Sequence, residues 1–151
     1  MSNRVSINIE MPAVHINLPY FIGIVSIEGD SGTGKSYICD MIKEAKCSKY
    51  NGVKADFPLR DIIIWDNVES VHLGVNAQYS NKYIIIDRYQ LLVRQVPDII
   101  EFVNRNSSNC IVLISHGEIK DVEIMARRVY KVVSSIDKDT NITKLSYSHL
   151  L

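Results

Sequence analysis

The chain has 151 residues, 46% of them hydrophobic, and its 17 Lys and Arg residues balance its 17 Asp and Glu residues. This length and composition predict a single domain, residues 1–151, that is large enough to bury a core. The zero net charge gives no indication of a nucleic-acid partner, and no apolar run reaches the ~18 residues of a membrane span. Because the N-terminus lacks a signal-peptide pattern and the three cysteines form no CxxC pair, we expect a cytoplasmic protein with reduced thiols.

The N-terminal segment predicts three strands. Apolar and polar residues alternate at residues 5–11 and again at residues 14–18, on either side of Pro12 and Ala13. This alternation is typical of two half-buried strands that form a hairpin. Residues 21–27 then form an apolar run with the length of a buried strand. We therefore expect an N-terminal β-hairpin followed by the first strand of the main sheet.

A glycine-rich segment, GDSGTGKS at residues 29–36, follows that apolar run. It fits the P-loop pattern G-x-x-x-x-G-K-[ST], in which glycines let the backbone curl around a phosphate and direct several N–H groups at it. In this pattern Lys35 neutralises the outer phosphates of a nucleotide, and the Ser36 hydroxyl binds the Mg²⁺ that bridges them. The predicted nucleotide-binding residues are Gly29, Asp30, Ser31, Gly32, Thr33, Gly34, Lys35 and Ser36.

A helix is expected directly after this loop. Ile38, Met41, Ile42 and Ala45 are spaced so that they share one helical face. A helix that begins near Lys35 points the positive end of its dipole at the bound phosphates. The predicted order of buried strand, glycine loop and helix is the context that the P-loop pattern requires.

The remainder of the chain alternates strands with helices. The predicted strands lie at residues 61–66, 82–87, 110–114 and 128–133, with a final strand to residue 147. Helices are predicted from Pro97 onward and over residues 118–127. This alternation predicts an α/β, three-layer fold with a mainly parallel five-stranded sheet and the N-terminal β-hairpin at one side. With the strand before the P-loop numbered 1, right-handed crossovers favour the strand order 5-1-4-3-2.

Polar side chains end several of these strands, at the edge where parallel sheets bind ligands. Asp87 follows three isoleucines, which is the pattern of the aspartate that holds Mg²⁺ opposite the P-loop serine. Asp66 ends the preceding strand, and Ser115 and His116 end the following one. His116 is a candidate to contact the γ-phosphate or the attacking water, and a structural histidine is an equally good interpretation. This convergence predicts a single site.

Arg88 stands where many ATPases that have a strand between the P-loop and Asp87 strands carry a glutamate. That glutamate polarises the attacking water, whereas a guanidinium cannot act as a base. Either hydrolysis is slow, or another carboxylate takes this role. Asp66 is the leading substitute, provided that its strand lies beside that of Asp87, and a capping role for Asp66 is the alternative.

These motifs resemble those of P-loop NTPases of the ATPase type, and most closely the nucleotide-binding core of ABC-type ATPases. The similar stretches are GDSGTGKS, YIIID at residues 83–87 and IVLISHG at residues 111–117, in which His116 falls at the switch-histidine position. The sequence has no LSGGQ-type signature and no glutamate after Asp87, and it is too short for the helical subdomain of that family. The resemblance therefore implies a reduced P-loop nucleotide-binding domain.

The resemblance implies that the ligand is Mg-ATP and that ATP is hydrolysed slowly or acts as a switch together with a partner. A homo-oligomer or a protein partner would then complete the site. The sequence lacks the N-K-x-D motif of guanine specificity, which favours ATP over GTP. The alternative is a small-molecule kinase in which Asp66 holds the acceptor hydroxyl, although no arginine-bearing lid is evident. The predicted catalytic residues are Lys35, Asp66 and His116, and the predicted metal ligands are Ser36 and Asp87.

Overall fold

The structure, a computed structural model, describes residues 4, 6–28, 35–47, 52–117, 119 and 128–150, with only the backbone of residues 133, 134 and 147–150. The strands are β1 Ser6–Glu10, β2 Val14–Pro19, β3 Gly23–Glu28, β4 Lys54–Ala55, β5 Ile62–Trp65, β6 Tyr83–Ile86, β7 Cys110–Ser115, β8 Arg128–Asp137 and β9 Ile142–Leu150. The helices are α1 Lys35–Lys46, α2 Val68–Gly74, α3 Tyr89–Gln95 and α4 Asp98–Arg105, and a 3-10 turn covers Leu59–Asp61. The predicted glycine loop at residues 29–34 and most of the helix predicted at residues 118–127 lie outside the described residues.

In the described part of the chain, nine strands form one mixed sheet in the order β4-β1-β2-β9-β8-β3-β7-β6-β5. From β8 to β5 all neighbouring strands are parallel, and β7 lies between β3 and β6. From β4 to β8 neighbouring strands are antiparallel, except for the parallel pair β2 and β9. The predicted fold class, a three-layer fold around a mainly parallel sheet of five strands, is therefore wrong. An all-parallel part and a mixed part share β8.

The strand responsible for this difference is β9. It pairs antiparallel with β8, where Ile142 stands opposite Asp137. Its other edge pairs in parallel with β2, where Thr143 stands opposite Val14. Because the N–H and C=O groups along a strand edge need partners, β9 joins the N-terminal hairpin to the main sheet. Local periodicity does not reveal this pairing, since it connects segments from opposite ends of the sequence.

Apolar side chains alternate between the two faces of the sheet and form two core clusters. On one face, Val25 and Ile27 of β3 share a cluster with Ile38 and Ile42 of α1. The cluster on the opposite face includes Ile84, Ile86, Leu92, Ile99, Phe102 and Leu113. Helix α1 therefore covers one face of the parallel strands, and α2, α3 and α4 cover the other. Among the described residues, no helix is long and apolar enough to cross a lipid bilayer.

Two fully buried asparagines hold the segment between α2 and β6. The side chain of Asn106 accepts a hydrogen bond from the Tyr79 N–H at 2.7 Å and donates one to the Ala77 carbonyl at 3.2 Å. The side chain of Asn109 accepts from the Lys82 N–H at 2.9 Å and donates to the Tyr79 carbonyl at 2.9 Å. These carboxamides thereby satisfy backbone N–H and C=O groups that precede β6 and have no partner in the β ladder.

We expect Asn109→Ala to lower the free energy of unfolding by about 2–4 kcal/mol, because it leaves two partly buried backbone groups without partners. Urea denaturation followed by circular dichroism measures this change. The exposed Asn76 lies in the same segment, and Asn76→Ala is the control, with an expected change within about 0.5 kcal/mol. Equal unfolding midpoints for the two variants would contradict the role assigned to Asn109.

Candidate functional site

The predicted site residues lie at one edge of the parallel strands. Asp66 follows β5, Asp87 follows β6, Ser115 ends β7, and His116 is the next residue. The strand β3 ends at Glu28, and α1 is described from Lys35. Because parallel strands end at the same side of a sheet, these residues lie at the same edge as Glu28, the last residue of β3. The glycines of the connection between β3 and α1 are outside the described residues.

The central contact of the site joins Ser36 to Asp87. The Ser36 Oγ donates to Asp87 Oδ1 at 3.4 Å across 51 residues of sequence. Asp87 is 3% exposed, and the preceding Lys35 is 7% exposed. A second donor, the N–H of Arg88, lies 2.9 Å from the same carboxylate oxygen. A buried carboxylate needs such donors, because burial without partners strongly disfavours its charged form.

The direction of Asp87 follows from the alternation along β6. Ile84 and Ile86 belong to the cluster that packs against α3 and α4, whereas Ile85 belongs to the cluster that includes α1. Asp87 continues this period and therefore faces α1. The main-chain N–H of Asp87 also donates to the Trp65 carbonyl at 2.8 Å, which ties its backbone to β5.

Ser36 and Asp87 supply the oxygen donors that Mg²⁺ prefers. Adjacent ligands of an octahedral Mg²⁺ at its usual bond lengths lie about 2.9 Å apart, so the 3.4 Å between these oxygens requires only a small closure. Among the described residues, no group of three or more His, Cys, Asp and Glu side chains forms a metal cluster. A cation bound here would take its other ligands from water and phosphate, as Mg²⁺ commonly does.

Arg88 has a left-handed backbone, with φ of 52°. This conformation costs a non-glycine residue about 1–3 kcal/mol and persists only when its surroundings enforce it. Two contacts do so: the Arg88 N–H bonds to the Asp87 carboxylate, and its guanidinium donates to the Asp66 carbonyl at 3.2 Å. The left-handed turn ends β6 and starts α3, and the guanidinium is directed toward the end of β5.

Asp66 is already engaged through both carboxylate oxygens. Its Oδ2 forms an ion pair with Lys43 of α1, and its Oδ1 accepts a hydrogen bond from Asn67 Nδ2 at 3.2 Å. The cap of α2 is Asn67, whose side chain accepts from the Ser70 N–H at 2.7 Å in a capping box. The capping role considered for Asp66 therefore belongs to its neighbour. A catalytic role for Asp66 requires that its strand lies beside the strand of Asp87. This requirement is met, since β5 pairs directly with β6.

Around His116 the structure shows a contact that the sequence did not suggest. The His116 N–H donates to Gln90 Oε1 at 3.2 Å, and Gln90 Nε2 donates to the His116 carbonyl at 3.2 Å. The neighbouring Ser115 is buried, and its Oγ donates to the Gly117 carbonyl at 2.6 Å. Nothing in the sequence distinguishes Gln90 except its position three residues after Asp87.

Glu28 is a second residue that the sequence did not single out. It ends β3 directly before the glycine-rich segment and pairs with Ser115 of β7. The hydroxyl of the fully buried Ser26 donates to its Oε2 at 2.7 Å. An additional carboxylate therefore lies at the same edge of the sheet as Asp87 and His116.

The two buried cysteines do not add a nucleophile to this site. All three cysteines are free, and Cys39 and Cys110 are buried. Burial, and next the negative charge of Asp87, raise the pKa of the Cys39 thiol far above its usual range. Burial likewise raises the pKa of Cys110 to about 12. Both thiols stay protonated at neutral pH, and thiolate is the reactive form.

The described part of the site thus combines a hydroxyl, a buried carboxylate and a buried lysine at the carboxyl ends of parallel strands. Such an edge is the usual ligand position in parallel sheets. The functional assignment depends on this geometry and on the sequence motifs, because comparisons with protein-family models, curated proteins and solved structures found no match to this chain.

Proposed function

We propose that the protein binds Mg-ATP through residues 29–36 and Asp87, and that it hydrolyses ATP slowly or uses it as a switch together with a partner. The observation that carries this proposal is the 3.4 Å contact between Ser36 Oγ and Asp87 Oδ1. Two separate sequence motifs each predict a Mg²⁺ ligand, and these are the residues that they predict. The proximity of these two oxygens is what a shared Mg²⁺ site requires.

The surroundings of this contact support phosphate binding. Lys35 directly precedes Ser36, and an ammonium group forms charge-assisted hydrogen bonds with phosphate oxygens. The 12-residue helix α1 adds the positive end of its dipole on the same side. The Lys35 ammonium, the positive end of the helix dipole and a cation held by Ser36 and Asp87 would all attract an anionic ligand.

The residues beside the contact support slow turnover. Hydrolysis needs a group that orients the attacking water, in addition to charge that stabilises the transferring phosphoryl group. Asp87 is assigned to the metal, Arg88 is not a base, and both oxygens of Asp66 already have partners. We therefore expect a rate near or below about 1 s⁻¹, the lower end of ordinary enzyme turnover.

A small-molecule kinase is the second candidate, and a cleft beside Asp66 favours it. This cleft has a volume of about 280 Å³ and is lined in part by Asp66, Asn67, Arg88 and Leu91. Arg88 lines this cleft and directly follows Asp87 in the chain, so an acceptor bound there would lie beside the proposed metal site. An ATPase releases inorganic phosphate without any acceptor, whereas a kinase forms ADP without free phosphate when an acceptor is supplied.

The proposal predicts that Ser36→Ala weakens ATP binding in the presence of Mg²⁺ on the order of tenfold, because one metal ligand is lost. Binding in the presence of a chelator should be unchanged, since Ser36 then has no cation to hold. Isothermal titration calorimetry with and without Mg²⁺ measures both affinities. The control is Ser80→Ala, at an exposed position away from the site. Absence of Mg-ATP binding by the wild-type protein would refute the proposed function.

A further inference from the structure

The contact between Gln90 and His116 has the hydrogen-bond pattern of a β ladder. One residue donates through its N–H and accepts through its carbonyl, and both bonds, at 3.2 Å, go to the same partner. Opposite residues in an antiparallel ladder exchange two bonds in this way. Here a side-chain carboxamide replaces the backbone of a neighbouring strand.

The ends of the strands explain why a side chain is needed. The last residue of β6, Ile86, pairs with Leu113, so β7 continues beyond its neighbour. On its other side, β7 pairs with β3 as far as Ser115 opposite Glu28. His116 is the next residue and has left both ladders. Gln90, in the first turn of α3, reaches it because the left-handed Arg88 starts this helix directly after Asp87.

We propose that Gln90 is a positioning residue that fixes the His116 backbone relative to Asp87 and so directs the imidazole at the γ-phosphate end of the bound nucleotide. This inference rests on the proposed function. It deepens that function by linking the segment that holds the cation to the segment that senses the phosphate. A single turn of chain, from Asp87 to Gln90, contains the proposed metal ligand at one end and the residue that contacts the His116 backbone at the other.

If Gln90 had a purely structural role, its loss would lower stability, whereas a positioning role predicts an effect mainly on catalysis. His116 is exposed and Gln90 is half-buried, so water can replace either bond at little cost to unfolding. Misplacing a catalytic group by about 1 Å, in contrast, can lower a rate on the order of 100-fold. Loss of the carboxamide should therefore affect catalysis much more than stability.

The test combines Gln90→Leu with His116→Ala in a double-mutant cycle. We expect Gln90→Leu to lower kcat for phosphate release from Mg-ATP about tenfold or more, with ATP affinity within about twofold of wild type because Ser36 and Asp87 are untouched. In the His116→Ala background, Gln90→Leu should have no further effect, since its target is gone. The matched control is Gln78→Leu, at an exposed glutamine in the segment before β6, which should leave kcat unchanged.

Amide hydrogen exchange at His116 supplies a readout that needs no nucleotide. We expect Gln90→Leu to speed exchange of this amide, and Gln78→Leu to leave it unchanged. The inference is overturned if exchange is equal in the wild type and Gln90→Leu, if Gln90→Leu lowers kcat equally in both backgrounds, or if His116→Ala hydrolyses ATP at the wild-type rate. If the wild-type protein neither binds nor hydrolyses Mg-ATP, the proposed function fails and the inference with it.

Discussion

Replacement of Lys35 by alanine is expected to weaken Mg-ATP binding about 100-fold or more, which corresponds to roughly 3 kcal/mol. Lys35 is the cation of the predicted P-loop, and it is 7% exposed at the start of α1. A charge-assisted hydrogen bond from a buried ammonium to phosphate is about twice as strong as a neutral one, and alanine removes it completely. Isothermal titration calorimetry of both proteins at the same Mg²⁺ concentration measures the loss.

The matched control for this experiment is Lys138→Ala. Lys138 is exposed in the turn between β8 and β9, so it tests the effect of removing one positive charge from the protein. We expect its ATP affinity to stay within about twofold of wild type, because surface charges beyond a Debye length are screened. Thermal melts of the nucleotide-free variants exclude unfolding as the cause. Equal ATP affinity in wild type and Lys35→Ala would eliminate the P-loop assignment.

Replacement of Arg88 by glutamate is expected to raise steady-state ATP hydrolysis at least tenfold, with an upper limit in the range of about 10²–10⁴ that a well-positioned general base contributes. The change supplies an acceptor for a water proton one residue after Asp87. It requires no new backbone strain, because arginine and glutamate are equally disfavoured at the observed φ of 52°. It removes the hydrogen bond to the Asp66 carbonyl at an exposed position, whereas the main-chain N–H of residue 88 still donates to the Asp87 carboxylate and restrains the turn.

The substitution Asp66→Asn distinguishes two roles of Asp66 in the slow ATP hydrolysis expected of the wild type: that of a substitute base and that of an ion-pair partner only. If Asp66 is the substitute base, this change abolishes hydrolysis and leaves ATP affinity nearly intact. If Asp66 serves only in its ion pair with Lys43, hydrolysis is retained and the unfolding free energy falls by less than about 1 kcal/mol, as is typical of partly exposed pairs. Phosphate release at saturating Mg-ATP gives the comparison. Fast release by the wild type that Asp66→Asn does not diminish would show that both residues have been misinterpreted.

Local sequence patterns predicted most of the strands, because the alternation of apolar residues is a property of neighbouring positions. The predicted strand at residues 82–87 corresponds to Tyr83–Ile86, and the one at residues 110–114 corresponds to Cys110–Ser115. The helix predicted from Pro97 is confirmed as Asp98–Arg105. The short helices α2 and α3 were missed, although the buried Tyr89, Leu92 and Val96 have the spacing of one helical face. Helix α2 begins with a capping box at Asn67 and Ser70, and its Val68 and Val71 are spaced as on one helical face.

The motifs gave the identities of the candidate site residues but little of their surroundings. The P-loop pattern and the YIIID run predict Ser36 and Asp87 as metal ligands on the sequence alone, since each pattern needs fixed residue types at fixed spacing. The engagement of Asp66 with Lys43, the left-handed turn at Arg88 and the pairing of Gln90 with His116 depend on which elements become neighbours. No spacing along the chain encodes those contacts.

The sequence by itself therefore determined most of the strands, the helices α1 and α4, and the residue types of the proposed nucleotide site. Only the tertiary structure decided the nine-stranded sheet, in which β9 pairs with β2 on one side and with β8 on the other. It also supplied the 3.4 Å distance between Ser36 Oγ and Asp87 Oδ1, two residues that the motifs had predicted to lie in one site. The physical reason is that nearly every residue has the same backbone N–H and C=O groups. The hydrogen-bonding edge of a strand therefore does not specify which strand pairs with it. That partner is selected by the packing of the whole chain.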